Sequence, residues 1–151
     1  MTDQSGESMD GITFLTEMRD EGRNYPPIGS FVEFKIDEIK RGHLTGTGVP
    51  RADHYNPLGV VHGGFAGTLL DLALGHVSIT VLDDMTYAVS TTDLTVKYMR
   101  SILHDTGKMR WTAEVMHSGK TVVMAEASLY DSKGRLCASA QSTCLITKRR
   151  D

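Results

Sequence analysis

The chain has 151 residues, 40% of them hydrophobic and 23% charged, with a formal net charge of -3. That length suits one domain with a sizeable core, and the composition excludes a disordered chain. The slight acidity and the lack of a basic face leave no electrostatic footprint for nucleic acid. No apolar run is long enough to span a membrane and the N-terminus carries no signal-peptide pattern, so a cytoplasmic, membrane-free protein is expected. Cys137 and Cys144 lack the spacing of a zinc site or a disulfide framework and are expected to be reduced residues of the core.

In chain order, residues 1–10 are polar. Ile12, Leu15, Met18 and Arg19 recur at helical spacing, which predicts a short helix over Gly11–Glu21 stopped by Gly22. Tyr25 to Gly29 reads as an extended linker. Phe31–Asp37 alternates as a first strand, Gly42 turns the chain, and His43–Val49 pairs back as a second strand. Pro50–Pro57 is a loop. Gly63 to about Leu82 is apolar nearly all round, as a buried helix is, and Asp83-Asp84 ends it. One stripe of that helix is small and polar: Gly64, Thr68, Asp71, Gly75 and Ser78 share a face. Strands are then predicted over Thr86–Tyr98, Thr106–His117, Thr121–Tyr130 and Leu136–Thr147. The even-numbered residues Ala88, Ser90, Thr92, Leu94, Val96 and Tyr98 fall on one side of the first of these. A single sheet covers only one face of such a helix, so a curled sheet or a second subunit is required. Exposed edge strands favour an oligomer as well.

The chemistry concentrates at the entry to the apolar helix, over Asn56-Pro57-Leu58-Gly59-Val60-Val61-His62-Gly63-Gly64 and on to Asp71. A helix N-terminus presents free N–H groups and a partial positive charge, suited to an oxygen that gains charge during acyl transfer. Gly63 and Gly64 permit close approach. Asp71 is a carboxylate in an otherwise apolar helix, a placement seldom seen unless the group is paired or functional. His62 reads equally as a helix cap, Asn56 before Pro57 as a turn residue, and Ser90 as an ordinary strand residue. His54, His76, His104 and His117 lack metal-ligand spacing, so no metal is expected. The methionines, Met85, Met99, Met109, Met116 and Met124 among them, read as core filler.

The element order, with Asn-x5-His-Gly-Gly-x7-Asp entering the central helix, resembles the hotdog-fold acyl-CoA thioesterases, and within them the phenylacetate-degradation (PaaI-like) branch. The resemblance spans about residues 30–147, and only the central motif is specific. It implies an α+β hotdog fold, a curled antiparallel sheet wrapped around one long helix. Residues 1–29 form an N-terminal helix and linker, and 30–151 the hotdog domain. Homodimers that assemble to homotetramers follow, with active sites between the protomers of a dimer.

Carried over residue by residue, the resemblance makes Asp71 the catalytic carboxylate, as general base or nucleophile. It gives the Gly63 N–H to the thioester oxygen, Asn56 to orienting the thioester or water, and His62 to support. A hydroxyl of the strand after the helix, Ser90 in the first alignment with Thr91 or Thr92 as alternatives, helps hold water. Gly75 stands where some relatives carry a hydroxyl. Gly64, Thr68 and Thr92 are expected near the substrate. Arg100 and the tail Lys148-Arg149-Arg150 are candidates for the CoA phosphates. The substrate is then an acyl- or aryl-CoA, with CoA as part of the substrate and no further cofactor. Two other readings stay open: a hotdog enoyl-CoA hydratase or dehydratase, and a non-catalytic acyl-CoA sensor. Against the first, Asp71 and His76 lie about 140° apart on the helix. Against the second, the N-terminal helix is too short, and the charge wrong, for a DNA-binding segment.

Overall fold

A computed structural model describes residues 8–149. Helix α1 spans Gly11–Glu21 and α2 Pro27–Phe31, followed by strands β1 (Lys35–Lys40) and β2 (His43–Gly48). The central helix α3 covers Gly63–Ile79, and strands β3 (Tyr87–Tyr98), β4 (Met109–Ser118), β5 (Val122–Tyr130) and β6 (Leu136–Lys148) complete the chain. The six strands form one antiparallel sheet in the order β1-β2-β4-β5-β6-β3, curled around α3 as the hotdog resemblance implies.

The core lies between that sheet and α3. Phe65, Leu69, Leu70, Ala73, Leu74 and Val77 of α3 are buried against Trp111, Ala113, Ala125, Ala127, Leu129, Ala138 and Ala140 of the sheet. Full burial of one leucine is worth about 2 kcal/mol, so the packed face of α3 contributes heavily to the fold. Trp111 stacks on Phe34 with ring centroids 5.0 Å apart and donates its indole N–H to the Thr47 carbonyl at 3.1 Å. Gly46 makes room for it: a Cβ there would sit 2.2 Å from Trp111 Cζ2 and 2.0 Å from the Lys35 carbonyl oxygen. Phe14, Leu15 and Met18 of α1 join the same core.

Several elements differ from expectation, and β4 begins at Met109 rather than Thr106, after a short helical turn over His104–Thr106. Residues 27–31, read as linker and strand, form α2, and β1 begins only at Lys35. Pro27 occupies the first helical turn, where a missing N–H costs nothing and the fixed φ suits a helix. The Tyr25 hydroxyl then ties the segment down by donating to the Phe34 carbonyl at 2.7 Å. Helix α3 stops at Ile79, three residues short of the expected end, because the Thr80 hydroxyl donates back to the Val77 carbonyl and accepts the Gly42 N–H. The methionines divide: Met85 and Met109 are buried, whereas Met99, Met116 and Met124 are about half exposed. Cys137 and Cys144 are free and buried.

The largest correction concerns β3. Its pairing with β6 slips between Thr91, opposite Cys144, and Asp93, opposite Thr143. Thr92 is the extra residue of a β-bulge. Its hydroxyl donates to the Thr143 carbonyl at 2.9 Å, while the Asp93 carboxylate accepts the Thr143 N–H at 3.3 Å. A bulge shifts the side-chain phase by one residue. The face toward α3 therefore carries Val89 and Thr91 before the bulge and Leu94, Val96 and Tyr98 after it, opposite the inward Ile146, Cys144, Ser142, Ala140 and Ala138 of β6. The unbroken even-numbered face expected from alternation does not exist, and Ser90 and Thr92 are not on the helix side.

Candidate active site

The loop before α3 is built by its own polar groups. Asn56 Oδ1 accepts the N–H groups of Leu58 at 2.9 Å and Val60 at 3.4 Å, and the Asn56 N–H donates to the Val60 carbonyl at 2.8 Å. The carbonyl side of the amide is thus spent on the turn, which leaves its NH2 as the donor the side chain can offer a substrate. Tyr55 bridges to Val61, and the His62 N–H donates to the buried His54 carbonyl at 2.7 Å. His54 is itself fixed: Nδ1 accepts the Arg51 N–H at 2.9 Å, so Nε2 carries the proton it donates to the Phe31 carbonyl at 2.8 Å.

His62 is the N-cap of α3. Its Nδ1 accepts the Gly64 N–H at 2.8 Å, and its carbonyl accepts the Phe65 N–H at 2.9 Å. The Gly63 N–H has no acceptor among the described residues. It lies in a cleft of ≈330 Å³ lined by Asn56, His62, Gly63, Tyr98 and Arg100 among others. Four residues chosen from sequence, Asn56, His62, Gly63 and Arg100, therefore converge.

Asp71 lies elsewhere. It is eight residues further along α3 than Gly63, about 12 Å at 1.5 Å per residue. Half-buried, it accepts a hydrogen bond from the Thr91 hydroxyl at 3.0 Å. Of the three hydroxyl candidates Ser90, Thr91 and Thr92, Thr91 is the one that bonds to Asp71. The signal that could have found it was the hydroxyl-rich run Ser90-Thr91-Thr92 followed by Asp93, side chains able to stabilise a bulge. Gly64 and Thr68 line a second recess with His62 and Phe65, on the side of α3 away from Gly63 and Ala66. Ser78, the last member of the polar stripe, is fully buried and bonds back to the Leu74 carbonyl at 2.8 Å. Arg149 donates to the Tyr87 carbonyl at 3.2 Å, at the end of β3 opposite Tyr98, so within one chain it is remote from the Gly63 cleft. Lys148 pairs with Tyr87 at that same end. Arg150 lies outside the described residues.

His76 is engaged by its own helix. Nδ1 donates to the Leu72 carbonyl at 2.5 Å, and burial pushes its pKa below the usual 6.5, opposed by the Leu72 carbonyl and by Asp71. Among the described residues no three His, Cys, Asp or Glu side chains converge as a metal site would need.

Comparison with known proteins adds to this geometry. A sequence model described as the thioesterase superfamily matches residues 58–138, a span that includes His62, Gly63, Asp71 and all of β3. The 1,4-dihydroxy-2-naphthoyl-CoA hydrolase of Escherichia coli is 25% identical over 116 residues, covering 77% of this chain and 83% of that one. A phenylacetic acid degradation-related protein of Ralstonia eutropha has a similar structure, with a TM-score of 0.79 at 25% identity, covering 87% of this chain and 98% of that one. The PaaI protein of the Escherichia coli phenylacetic acid degradation operon shares the fold, with a TM-score of 0.77 at 16% identity, covering 90% of this chain and 96% of that one.

Proposed function

The chain belongs to the thioesterase superfamily, and from that premise we propose that it hydrolyses an acyl- or aryl-CoA thioester to the free acid and CoA at a site shared between two copies of the chain. The observation that carries this reading is the separation of the two chemical groups. A thioester oxygen must lie about 3 Å from the donor that stabilises it, and the base or nucleophile must reach the adjacent carbon. Gly63 and Asp71 of one chain stand about 12 Å apart along α3, too far to serve one carbonyl. An antiparallel second α3 brings the Asp71 of one protomer toward the Gly63 of its partner.

Strand β3 supplies the means of pairing. It has 12 residues, its hydrogen-bonded neighbour among the described residues is β6 alone, and most of its side chains are exposed on both faces. A bare edge of that length is an invitation to another strand. A homodimer joined along β3 covers it and sets the α3 helices side by side, and pairs of dimers give the homotetramer.

The Gly63 N–H polarises the thioester carbonyl, and Asn56 orients the thioester or the attacking water. In the base route, Asp71 takes a proton from water as the oxygen adds to the carbonyl carbon. The C–S bond then breaks and the proton passes to the leaving thiolate. In the nucleophile route, a carboxylate oxygen of Asp71 adds instead, CoA leaves, and water hydrolyses the resulting anhydride. Thr91 holds the carboxylate in either case. Arg100 lies where it can meet the CoA phosphates at the mouth of the cleft. An aryl acyl group is the favoured class, supported by the aromatic substrate in the name of the Escherichia coli hydrolase. The hydratase reading loses support because His76 Nδ1 is spent on the Leu72 carbonyl.

Asp71→Asn tests the proposal. Thiol release from a panel of aryl-, short- and medium-chain acyl-CoAs falls at least about 10²-fold for the preferred substrate, as loss of a base or nucleophile requires. Undiminished turnover would sink the assignment. Hydration of an enoyl-CoA without thiol release would point to the hydratase, and tight binding without turnover to the sensor.

A further inference from the structure

We propose that Tyr98 is a positioning residue of this site: its hydroxyl and ring clamp the first turn of α3 so that the Gly63 N–H stays free and directed into the cleft. The proposal rests on Gly63 being the oxyanion donor.

Three observations converge on it. The Tyr98 hydroxyl donates to the Gly63 carbonyl at 3.1 Å. That carbonyl belongs to the peptide whose N–H, on Gly64, donates to His62 Nδ1 at 2.8 Å. The Gly63–Gly64 peptide is therefore held at both ends, by a tyrosine from β3 and by the helix's own cap. The peptide before it, which carries the Gly63 N–H, is left with its donor unspent.

The second observation is the fit of ring to helix. A Cβ on Gly63 would lie 3.2 Å from Tyr98 Cζ and 3.3 Å from the hydroxyl oxygen, and one on Gly67 3.6 Å from that oxygen. Two glycines a helical turn apart thus form the shelf on which the ring rests. Tyr98 is 57% exposed, so core burial does not explain its place, whereas the shelf and the hydrogen bond do.

The third is the bulge. Thr91 and Tyr98 are seven residues apart, and an unbroken strand would put them on opposite faces. The extra residue Thr92 re-phases β3, so that Thr91 reaches Asp71 and Tyr98 reaches Gly63 from the same face. Bulges beside active sites commonly re-aim side chains in this way. One strand thereby supports both chemical groups of the chain.

The test is Tyr98→Phe, which keeps the ring and removes the hydroxyl, assayed beside Asp71→Asn. The expected result is a kcat about 10-fold lower, since small misplacements of a catalytic donor are costly. KM stays unchanged, and Tm stays within about 2 °C of wild type, less than 1 kcal/mol of lost stability would shift a domain of this size. An unchanged kcat overturns the proposal. So does a raised KM at constant kcat, which would mark a substrate contact, or a fall in Tm that tracks the loss of rate, which would mark a structural role. If Asp71→Asn is inactive and Tyr98→Phe is fully active, only the role of Tyr98 falls. If Asp71→Asn retains turnover, the site assignment falls and this proposal with it.

Discussion

The sheet has two edges, and they are finished in opposite ways. Strand β1 has 6 residues, contains a register shift between Ile36 and Glu38, and carries Lys35, Asp37, Glu38 and Lys40. Helix α1 packs beside it, with Arg19 reaching the Asp37 carbonyl at 3.5 Å. Shortness, a bulge, charges and a covering helix are the devices by which proteins keep an edge from pairing. Strand β3 has twice the length and, among the described residues, no covering element, and its bulge turns residues toward α3. One edge is closed and the other is left for use. In the proposed dimer, the open edge would put the contact between protomers on the same strand that carries Thr91 and Tyr98.

The largest effect is expected from breaking the open edge. Leu94→Pro in β3 removes a backbone donor that faces away from β6 and introduces a ring into the strand. It is expected to give a monomer by sedimentation and to abolish thiol release. The matching Glu38→Pro in β1 is expected to lower stability while leaving the dimer and most of the rate. Equal loss of dimer from both would erase the distinction between the edges. Next is insertion of an alanine between Leu94 and Thr95. It keeps the bulge at Thr92 but shifts the rest of β3 by one residue, so Thr91 and Tyr98 can no longer both face α3. Activity is expected to fall at least about 10²-fold, as misplaced catalytic groups do, with near-native circular dichroism.

On the closed side the effects are on stability. A Cβ on Gly11 would lie 1.8 Å from the Ile79 carbonyl oxygen. Gly11→Ala therefore pushes α1 off α3 and uncovers β1. Its expected cost is about 1–3 kcal/mol by denaturant midpoint, the range for overpacking, with the rate at 25 °C little changed. The smallest effect is electrostatic. The Ser8 hydroxyl, then the Thr86 N–H and hydroxyl, hold the Asp84 carboxyl at about 2, below its usual 3.8. A depressed carboxyl stabilises the fold above its unfolded value and loses that contribution as the pH falls through its folded one. Asp84 thus adds stability above 3.8 that is gone by about pH 2. Asp84→Asn should flatten the difference in Tm between those pH values.

Much of this was legible in the residues. The apolar run from Gly63 has no polar face except one stripe, so it had to be the central helix. Strands β2, β5 and β6 alternate cleanly, and their ends fall within a residue or so of expectation. Element α2 was hidden because Tyr25-Pro26-Pro27 looks extended locally, while a contact to Phe34 decides it. The face of β3 departs from simple alternation for a related reason. Alternation fixes a face only while the register holds, and the register here breaks through bonds from Thr92 and Asp93 to a distant strand. The motif named Asn56, His62, Gly63 and Asp71 but could not show that the first three share a cleft and that Asp71 stands about 12 Å along the helix from Gly63.

That separation allows a decisive measurement. Asp71→Asn removes the carboxylate. Gly63→Pro removes the donor at the first helical position, where the fixed φ of proline suits a helix although its Cβ crowds the Tyr98 ring at 3.2 Å. Each variant alone is expected to be inactive. Unfolded together and refolded, they form mixed dimers in which one site pairs an intact Gly63 with an intact Asp71. Random pairing through a two-fold interface restores about a quarter of the wild-type rate of thiol release. No activity from mixed dimers whose formation is verified would contradict a shared site and place the whole reaction within one protomer.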